Sequence, residues 1–375
     1  MTLKICVGAK QMEKIKFRFS NRHFDEFNTP GVLNLMFLDL TNRCNLKCRY
    51  CFNRHKLSLA PSHLDLRLIE KTLQSPTASK AHNWFLSGGE PLAYPFLDEA
   101  LALFRQYGQR PKIATNGVLL TPETVDRWVS LGVQSVQFSL DTLNPDTFRE
   151  LNAGSPKSLE HILENIKYTV ASPLRVITSS VLTKANSREI IGLMQFSHAL
   201  GVDSYTLYPN VPAQKNNRDL VLSIPKQMEL FHELFAFYDG LESRRLVDLS
   251  IPCFQYSDVY ARWKDRLKIR QHSCGAGQFN LKVTSEGTVS ACICQDAPEF
   301  IVGDLHEQTI DEIWNSPEIE TFRNLYKDIP ECASCRIQAT CRGGCRNEAY
   351  GTGSQGVYSS DPHCVYHRVH DSVRS

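Results

Sequence analysis

The sequence predicts an α/β protein built on a parallel sheet, followed by a small cysteine-rich domain. Strand-like and helix-like segments alternate from about Leu35 to about Tyr208. The composition changes near Cys274, and eight of the thirteen cysteines lie from that residue onward. Six β/α units favour either a partial barrel or a doubly wound sheet, because hydrophobic periodicity does not distinguish the two.

The six β/α units consist of short apolar runs and amphipathic stretches. The runs predicted as strands are LMFLDL, NWFLSG, KIATNG, VQSVQFSL, RVITSSVL and SYTLY. The stretches predicted as helices are LDLRLIEKTL, FLDEALALFRQYG, TPETVDRWVSLG, SLEHILENIKYTV and REIIGLMQFSHALG, with KQMELFHELFAFYDGLE after Pro225. In both architectures ligands bind at the carboxyl ends of the strands, so the residues that follow the strands are the candidates for function.

The region from about Cys274 onward has a different composition. Two short strands, FNLKVTS and TVSACIC, flank Ser285-Glu286-Gly287, which predicts a hairpin turn. One helix, IDEIWNSPEIETFRNLY, follows, and four cysteines then occur in CASCRIQATCRGGC. So small a region cannot build a large apolar core, and we expect bound metal to stabilise its fold.

Composition limits the classes of function. The chain has 375 residues, of which 42% are hydrophobic and 22% charged, and its formal net charge is +2. No basic run beyond the mild cluster of Lys14, Lys16 and Arg18 indicates a nucleic-acid partner. No apolar run approaches the roughly 18 residues of a membrane span, and the N-terminal stretch lacks a signal-peptide core, so we expect a cytoplasmic protein without membrane partners. In that reducing compartment clustered cysteines bind metal or do redox chemistry more often than they form disulfides.

The stretch CNLKCRYCF, from Cys44 to Phe52, places three cysteines directly after the first predicted strand. A structural zinc site usually takes four Cys or His ligands, so three without a near fourth are incomplete for that purpose, although a zinc loop stays an alternative. A [4Fe–4S] cluster that is bound by three thiolates keeps one iron free for another ligand. The trio of Cys44, Cys48 and Cys51 therefore indicates an open cluster at the functional edge of the sheet.

The spacing of this trio, with Tyr50 before the third cysteine, resembles the signature of the radical S-adenosylmethionine (SAM) superfamily. The stretch SGGEP, from Ser87 to Pro91, ends the second strand, where that superfamily has its Gly-Gly-Glu-Pro motif. The later cysteines resemble the SPASM extension found in part of the superfamily, and they are Cys274, Cys292, Cys332, Cys335, Cys341, Cys345 and Cys364. The resemblance covers nearly everything from residue 35 to residue 365 and implies a partial (β/α)6 TIM-like barrel followed by a small iron–sulfur domain.

This resemblance implies a domain organisation and a set of cofactors. The expected parts are an N-terminal extension at 1–34, the barrel at 35–245, a linker or bridging region at 246–273 and the SPASM domain at 274–375. The expected cofactors are SAM and three [4Fe–4S] clusters, one catalytic and two auxiliary.

The residues expected to bind SAM are Tyr50, Gly88, Gly89, Glu90, Pro91, Ser139 and Asp141. The two glycines let the backbone approach the methionine end of SAM without a Cβ clash, and the glutamate can accept a hydrogen bond from its amino group. Ser139 and Asp141, at the end of the fourth strand, can hydrogen-bond the ribose hydroxyls. Asp39 is the candidate catalytic residue because it can face the barrel cavity, although barrel interiors also contain structural polar groups.

The resemblance also assigns the C-terminal cysteines to two auxiliary clusters. The nearer cluster takes Cys274, Cys292 and Cys345, and the farther takes Cys332, Cys335, Cys341 and Cys364. Some relatives supply a fourth cysteine to the nearer cluster six residues after the first, where this chain has Asn280. Either Cys294 completes that site or one iron stays open to substrate, and Cys294 is favoured because a two-residue step along a strand keeps it on the face of Cys292. A zinc ribbon is the alternative for these cysteines.

These features predict a radical SAM enzyme that abstracts a hydrogen atom from a peptide or protein substrate, as an oxidative modification of the kind made on ribosomal peptide precursors. A one-electron donor such as flavodoxin or ferredoxin is an expected partner. Only about 34 residues precede the first strand, too few for a leader-binding module, so we expect a separate protein to present the peptide. The alternatives are a dehydrogenase or epimerase of a small molecule such as an aminocyclitol or sugar, a sulfatase maturase, and a non-catalytic iron–sulfur carrier.

Overall fold

The computed structural model describes residues 31–210, 217–240, 246–249, 259, 261–263 and 274–364. Most of the expected N-terminal extension and of the bridging region lies outside these ranges. Cys6 and Cys253, which we expect to be inert thiols, also lie outside them.

The described chain is organised around one sheet. Its strands are β1 Leu35–Thr41, β2 Asn83–Gly88, β3 Lys112–Thr115, β4 Ser135–Ser139, β5 Arg175–Leu182, β6 Ser204–Pro209, β7 Leu246–Leu249, β8 Asn280–Val283, β9 Thr288–Ser290 and β10 Ile301–Asp304. Their order is β10-β9-β8-β1-β2-β3-β4-β5-β6-β7, with parallel pairing from β8 through β7 and antiparallel pairing among β8, β9 and β10. The six predicted strands lie side by side in chain order, without the reversal that defines a doubly wound sheet, so the partial barrel is confirmed.

Helices connect the parallel strands and continue into the C-terminal region. They are α1 Leu66–Gln74, α2 Leu97–Gln106, α3 Pro122–Ser130, α4 Pro145–Asn152, α5 Pro156–Ala171, α6 Ile190–Leu200, α7 Ile224–Asp239, α8 Ile310–Trp314, α9 Pro317–Asn324, α10 Gln338–Cys341 and α11 Arg346–Thr352. Side chains at Asp65, Thr121 and Ser155 cap α1, α3 and α5 by accepting backbone N–H groups of the first turn. Among the described helices, none is long and apolar enough to cross a membrane.

Alternation along β1 explains why the sheet has one apolar and one mixed face. Met36 and Leu38 are fully buried and belong to the apolar core. Phe37 and Asp39 point to the opposite face, because successive side chains of a strand alternate. There Phe37 stacks on Phe85 of β2, with ring centroids 4.7 Å apart. The interior of the barrel is therefore the face that carries Asp39.

The C-terminal hairpin joins the barrel sheet directly. β8 lies parallel to β1, and Lys282 is opposite Phe37 in this pairing. β9 then returns antiparallel to β8 after a turn in which Gly287 has a φ of +89°. The predicted hairpin is confirmed, and the cysteine-rich region shares a hydrogen-bonded sheet with the barrel.

Three elements differ from the sequence-based expectations. The segment predicted as one helix after the hairpin forms α8 and α9, because Pro317 cannot continue a helix and Ser316 instead caps a new one. The sequence patterns do not predict α4, which begins after an Asn144 cap, or β7, which pairs with β6 in the segment expected as a bridge.

Leu38 offers a test of the core assignment for β1. Leu38→Ala should lower the free energy of unfolding by about 2 to 5 kcal/mol, because lost burial adds to the energy of a cavity. Leu59→Ala is the matched control, because Leu59 is 56% exposed. This variant should change the free energy of unfolding by less than about 0.5 kcal/mol. Urea unfolding followed by circular dichroism measures both variants, and equal effects would contradict the packing described here.

Candidate active site

The three cysteines of the first motif lie in a loop that leaves the carboxyl end of β1. The last turn of α4 supports this loop, because Arg49 N–H donates to the Leu151 carbonyl at 2.8 Å and Lys47 N–H donates to the Asn152 carbonyl at 3.3 Å. The loop thus lies at the edge of the sheet where ligands bind in β/α barrels.

The thiols of this loop are partly buried and receive amide donors. Asn152 Nδ2 lies 3.4 Å from Cys48 Sγ, and Asn116 Nδ2 lies 3.8 Å from Cys44 Sγ. Burial raises the pKa of Cys51 to about 12 and also raises the pKa of Cys48. Metals bind the thiolate form, and a bound cation such as iron compensates the negative charge that burial disfavours.

Asp141 ties the cysteine loop to the ends of β4 and β5. The Tyr50 hydroxyl donates to Asp141 Oδ2. Asn152 Nδ2 lies 2.9 Å from that hydroxyl and 3.0 Å from the same carboxylate oxygen, and Val181 N–H donates to Asp141 Oδ1 at 2.8 Å. Burial raises the pKa of Asp141, although these hydrogen bonds oppose the shift. Ser139, the other residue expected at the ribose, ends β4 and is exposed.

The end of β2 packs closely against the chain that precedes the cysteine loop. Gly89 N–H donates to the Thr41 carbonyl at 2.6 Å, and Glu90 N–H donates to the Arg43 carbonyl at 2.8 Å. A Cβ on Gly89 would lie 2.1 Å from the Arg43 oxygen, and one on Gly88, whose φ is +123°, would lie 2.4 Å from the Thr41 oxygen. The chain itself therefore requires both glycines, in addition to the expected approach of SAM.

The Glu90 carboxylate links β2 to the loop after β3. Its Oε1 accepts hydrogen bonds from the Thr115 hydroxyl at 2.6 Å and from Leu92 N–H at 3.2 Å, and its Oε2 accepts one from Asn116 N–H at 2.8 Å. Burial raises the pKa of Glu90 to about 6, against the effect of these donors. Pro91 is buried and begins the short 3-10 turn that follows.

Asp39 lies in a buried network of charges between the barrel and the hairpin. Its Oδ2 accepts a hydrogen bond from Asn53 Nδ2 at 3.3 Å and is 3.7 Å from Lys282 Nζ. Lys282 Nζ is also 3.8 Å from Asp296 Oδ2, which lies 2.5 Å from Lys56 Nζ. Burial raises the pKa of Asp39, although both lysines lower it. The candidate catalytic carboxyl is thus buried beside two ammonium groups.

Cys294 is an electrostatic neighbour of Cys274 and Cys292, two of the three cysteines that the resemblance assigns to the nearer auxiliary cluster. Burial raises the pKa of Cys292, and the charges of Cys294 and Cys274 raise it further. Burial likewise raises the pKa of Cys345, with Cys274 and Cys292 among its charged neighbours. These four residues form what we call the nearer cysteine group.

The remaining cysteines form a second set, the farther cysteine group, around Cys332. Burial raises the pKa of Cys332 to about 12. Its charged neighbours among the thiols are Cys364, Cys341 and Cys335. Arg346 is buried and its charge lowers the pKa of both Cys332 and Cys274, against burial. The charge of this arginine therefore acts on both groups.

The donor set fits iron–sulfur clusters. The eleven cysteines in the described ranges are all free thiols, and soft thiolate ligands favour iron–sulfur clusters. Within the part of the chain that the structure describes, no three Cys, His, Asp or Glu side chains converge on one metal-ion position. The fit therefore rests on the identity of the donors and on their grouping.

Three residues of the site have no place in the sequence-based prediction. Asn116 could have been found, because it lies at the carboxyl end of the predicted strand KIATNG, at the functional edge. Asn152 ends a helix that the sequence does not predict. Lys282 stands in the ordinary alternation of NLKV, so no signal marks it.

Comparison with known proteins identifies the two parts of the chain. The profile of the radical SAM superfamily matches residues 38–197, and that of the SPASM iron–sulfur cluster-binding domain matches residues 274–336. The chain belongs to the radical SAM superfamily and carries a C-terminal SPASM domain. These domains imply SAM and iron–sulfur clusters as cofactors.

Individual relatives extend along most of the chain. The AdoMet-dependent heme synthase of Methanosarcina barkeri is 26% identical over 349 residues, which are 88% of this chain and 96% of the relative. The PqqA peptide cyclase of a Methylobacterium species is 24% identical over 355 residues, which are 92% of this chain and 89% of the relative. The crystal structure of Streptococcus suis SuiB bound to precursor peptide SuiA has a TM-score of 0.72 at 18% identity, and covers 95% of this chain and 84% of SuiB. This last likeness shows the fold.

Gly89→Ala should disrupt the cysteine loop, because the new Cβ would collide with the Arg43 carbonyl. We expect the variant to lose about four irons per chain, the content of one [4Fe–4S] cluster. We also expect it to lose the ability to cleave SAM. Gly192→Ala is the matched control, since a Cβ there meets no atom within 4 Å. Iron analysis and 5′-deoxyadenosine chromatography measure the effects, and full iron content in Gly89→Ala would disprove the steric account.

Proposed function

We propose that this protein is a radical SAM enzyme that abstracts a hydrogen atom from a peptide or protein and so performs an oxidative post-translational modification. The observation that carries the proposal is the combination of one cysteine trio at the barrel edge with two further cysteine groups, in a chain similar to PqqA peptide cyclase over 92% of its length. Three [4Fe–4S] clusters belong to this proposal, one for each set of cysteines.

The first set holds the catalytic cluster in this proposal. When bound, this cluster and SAM supply a 5′-deoxyadenosyl radical, which is the cofactor's own chemistry. Cys44, Cys48 and Cys51 are the proposed ligands. Asn116 and Asn152 direct amide donors at two of these sulfurs and thereby orient them. Donors of this kind also tune the potential of a cluster.

The proposed SAM contacts lie along the same edge of the sheet. Glu90 Oε2 has one described donor, Asn116 N–H, so it keeps an acceptor position for the amino group of SAM. Ser139 is exposed and is the proposed partner of the ribose. Asp141 accepts two hydrogen bonds on Oδ2 and one on Oδ1, so Oδ1 keeps a position for a second ribose hydroxyl. Tyr50 is proposed to keep the loop closed around SAM through its bond to Asp141.

The two further cysteine groups are the proposed auxiliary sites. The electrostatic neighbours of Cys294 support its inclusion as fourth ligand of the nearer cluster. Clusters beyond the catalytic one suit a net oxidation, because the substrate radical must give up one electron after hydrogen abstraction. Asp39 stays the predicted catalytic residue, since it lies between the barrel and the hairpin of the cysteine-rich region.

A small-molecule substrate is the second candidate. The observation that favours it is the 26% identity with an AdoMet-dependent heme synthase over 88% of this chain. The predicted dehydrogenase or epimerase of an aminocyclitol or sugar belongs to the same class. A fold shared by relatives of both classes cannot decide between them.

The partners and the location stay predictions. These are an electron donor such as flavodoxin or ferredoxin, a separate protein that presents the peptide, and a cytoplasmic location. SuiB, whose structure was solved with its precursor peptide, supports a peptide partner for the same fold. β7 and β10 end the described sheet, and a strand edge is one place where an extended peptide can add.

Iron content tests the proposed cluster ligands. Changing Cys44, Cys48 and Cys51 together to Ala should remove about four of about twelve irons per chain. The same change should abolish SAM cleavage. Cys294→Ala is the comparison: it should keep the catalytic cluster and alter the spectrum of one auxiliary cluster. Native protein that contains zinc without visible absorption would refute the proposal. An unchanged auxiliary spectrum in Cys294→Ala would instead assign an open iron to the nearer site.

Turnover assays test the substrate class. Reconstituted protein, SAM and a chemical reductant should convert short peptides encoded beside its gene into products that have lost two hydrogen atoms, with formation of 5′-deoxyadenosine. The variant with Ala at Cys44, Cys48 and Cys51 is the control and should form neither product. Mass spectrometry measures the peptides with and without co-purified proteins.

The same assay with porphyrins, sugars and aminocyclitols tests the alternative of a small-molecule substrate. Modification of any of these by the chain alone, with no turnover of peptide, would contradict the peptide proposal. Peptide turnover without a helper protein would remove only the presenting partner.

A further inference from the structure

Lys282 is a fully buried lysine in the barrel sheet. It is the third residue of β8, and its side chain is 0% exposed. Leu281 and Val283, on either side, belong to the apolar core. Alternation along the strand therefore turns Lys282 to the barrel interior. Lysine is almost never fully buried without a partner, so its surroundings need an explanation.

The ammonium group has charged neighbours but no hydrogen-bond acceptor among the described residues. Its Nζ lies 3.7 Å from Asp39 Oδ2 and 3.8 Å from Asp296 Oδ2, which are ion-pair distances beyond hydrogen-bond range. Each oxygen has a closer partner: Asn53 Nδ2 donates to Asp39 Oδ2 at 3.3 Å, and Lys56 Nζ forms an ion pair with Asp296 Oδ2 at 2.5 Å. Because a buried charged donor without an acceptor is costly, an acceptor from outside the polypeptide is expected here.

Part of the nearer cysteine group lies next to Lys282 in the hairpin. Lys282 is opposite Ser290 of β9, two residues before Cys292, and the Ser290 hydroxyl donates to the Cys292 carbonyl at 3.1 Å. On its other side, Nζ lies 5.6 Å from the ring centroid of Phe52, the residue that follows Cys51. Lys282 thus lies between the loop of the first cluster and the nearer cysteine group.

We infer that Lys282 is a positioning residue that donates hydrogen bonds to the sulfur atoms of the nearer auxiliary cluster and raises its reduction potential. The inference rests on the proposed binding of that cluster by Cys274, Cys292, Cys294 and Cys345. Net charge and hydrogen bonds to the sulfurs set the potential of a cluster, and a nearby cation stabilises the added electron. The effect is large in a buried site because the protein interior screens charge weakly.

Redox titration of the full, anaerobically reconstituted chain, followed by electron paramagnetic resonance (EPR), tests this inference. Lys282→Met removes the charge and should lower the equilibrium constant for reduction of one auxiliary cluster about tenfold, which is about 59 mV for a one-electron couple. Lys282→Arg keeps the charge and should retain most of the native potential. Lys112→Met is the matched control, because Lys112 lies three strands away on β3 and donates to Asn83 Oδ1 at 2.6 Å. It should leave both auxiliary potentials unchanged.

Iron content separates this inference from the proposed function. If Cys274→Ala and Cys294→Ala leave iron content and spectra unchanged, the nearer cluster is absent and that part of the proposed function fails. If the cluster is present and Lys282→Met leaves its potential unchanged at full iron content, the role of Lys282 is overturned.

A measurement on the native sequence covers the case in which Lys282→Met does not assemble. Protein labelled with 15N-lysine should show a weak 15N coupling to the reduced auxiliary cluster in pulsed EPR, because a lysine nitrogen donates to its sulfurs. Lys282→Arg should lose this coupling. Absence of the coupling in the native protein overturns the inference.

Discussion

The parallel pairing of β1 with both of its neighbours is the interaction on which the site depends. On one side, β2 brings the Gly-Gly-Glu segment against the backbone of Thr41 and Arg43. On the other, β8 brings Lys282 next to Asp39. The cysteine loop begins where β1 ends. A slip of one residue in either pairing would turn the side chains of a strand to its opposite face. The geometry of the site therefore depends on the register of these strands.

Buried charges join the two parts of the chain across that pairing. Lys56 and Lys282 contribute two positive charges, and Asp39 and Asp296 contribute two negative ones, so the buried network is neutral when all four are ionised. Lys56 also pairs with Glu286, which is exposed. Burial raises the pKa of Asp39, and the charges of both lysines oppose that shift. Buried ion pairs add little net stability, but removal of one partner leaves a costly lone charge. The network therefore acts mainly to specify how the hairpin packs on the barrel.

The sequence was sufficient to predict the barrel strands. It was insufficient to predict the residues that hold the site in place. All six barrel strands could be predicted, because each has an apolar run of strand length bounded by turn residues. The role of Gly89 within the chain could not, since the Arg43 carbonyl that it approaches belongs to a different strand connection. Asn152 was hidden because α4 is short and its apolar pattern weak, and Lys282 because a lysine in a strand ordinarily faces water. Long-range proximity, not local propensity, makes these residues important.

The same geometry explains why the motifs identify the chemistry and leave the substrate open. Along the barrel strands, several polar side chains have partners within the chain: Lys112 donates to Asn83 at 2.6 Å, and the Tyr208 hydroxyl lies 3.5 Å from Gln137 Oε1. Accessible groups such as Ser139 lie instead at the carboxyl ends of the strands. We therefore expect a substrate to meet this edge, which the loops after the strands form. Since a heme synthase and a peptide cyclase are both similar to this chain over most of its length, we expect the loops at this edge, and not the cysteine trio, to select the substrate.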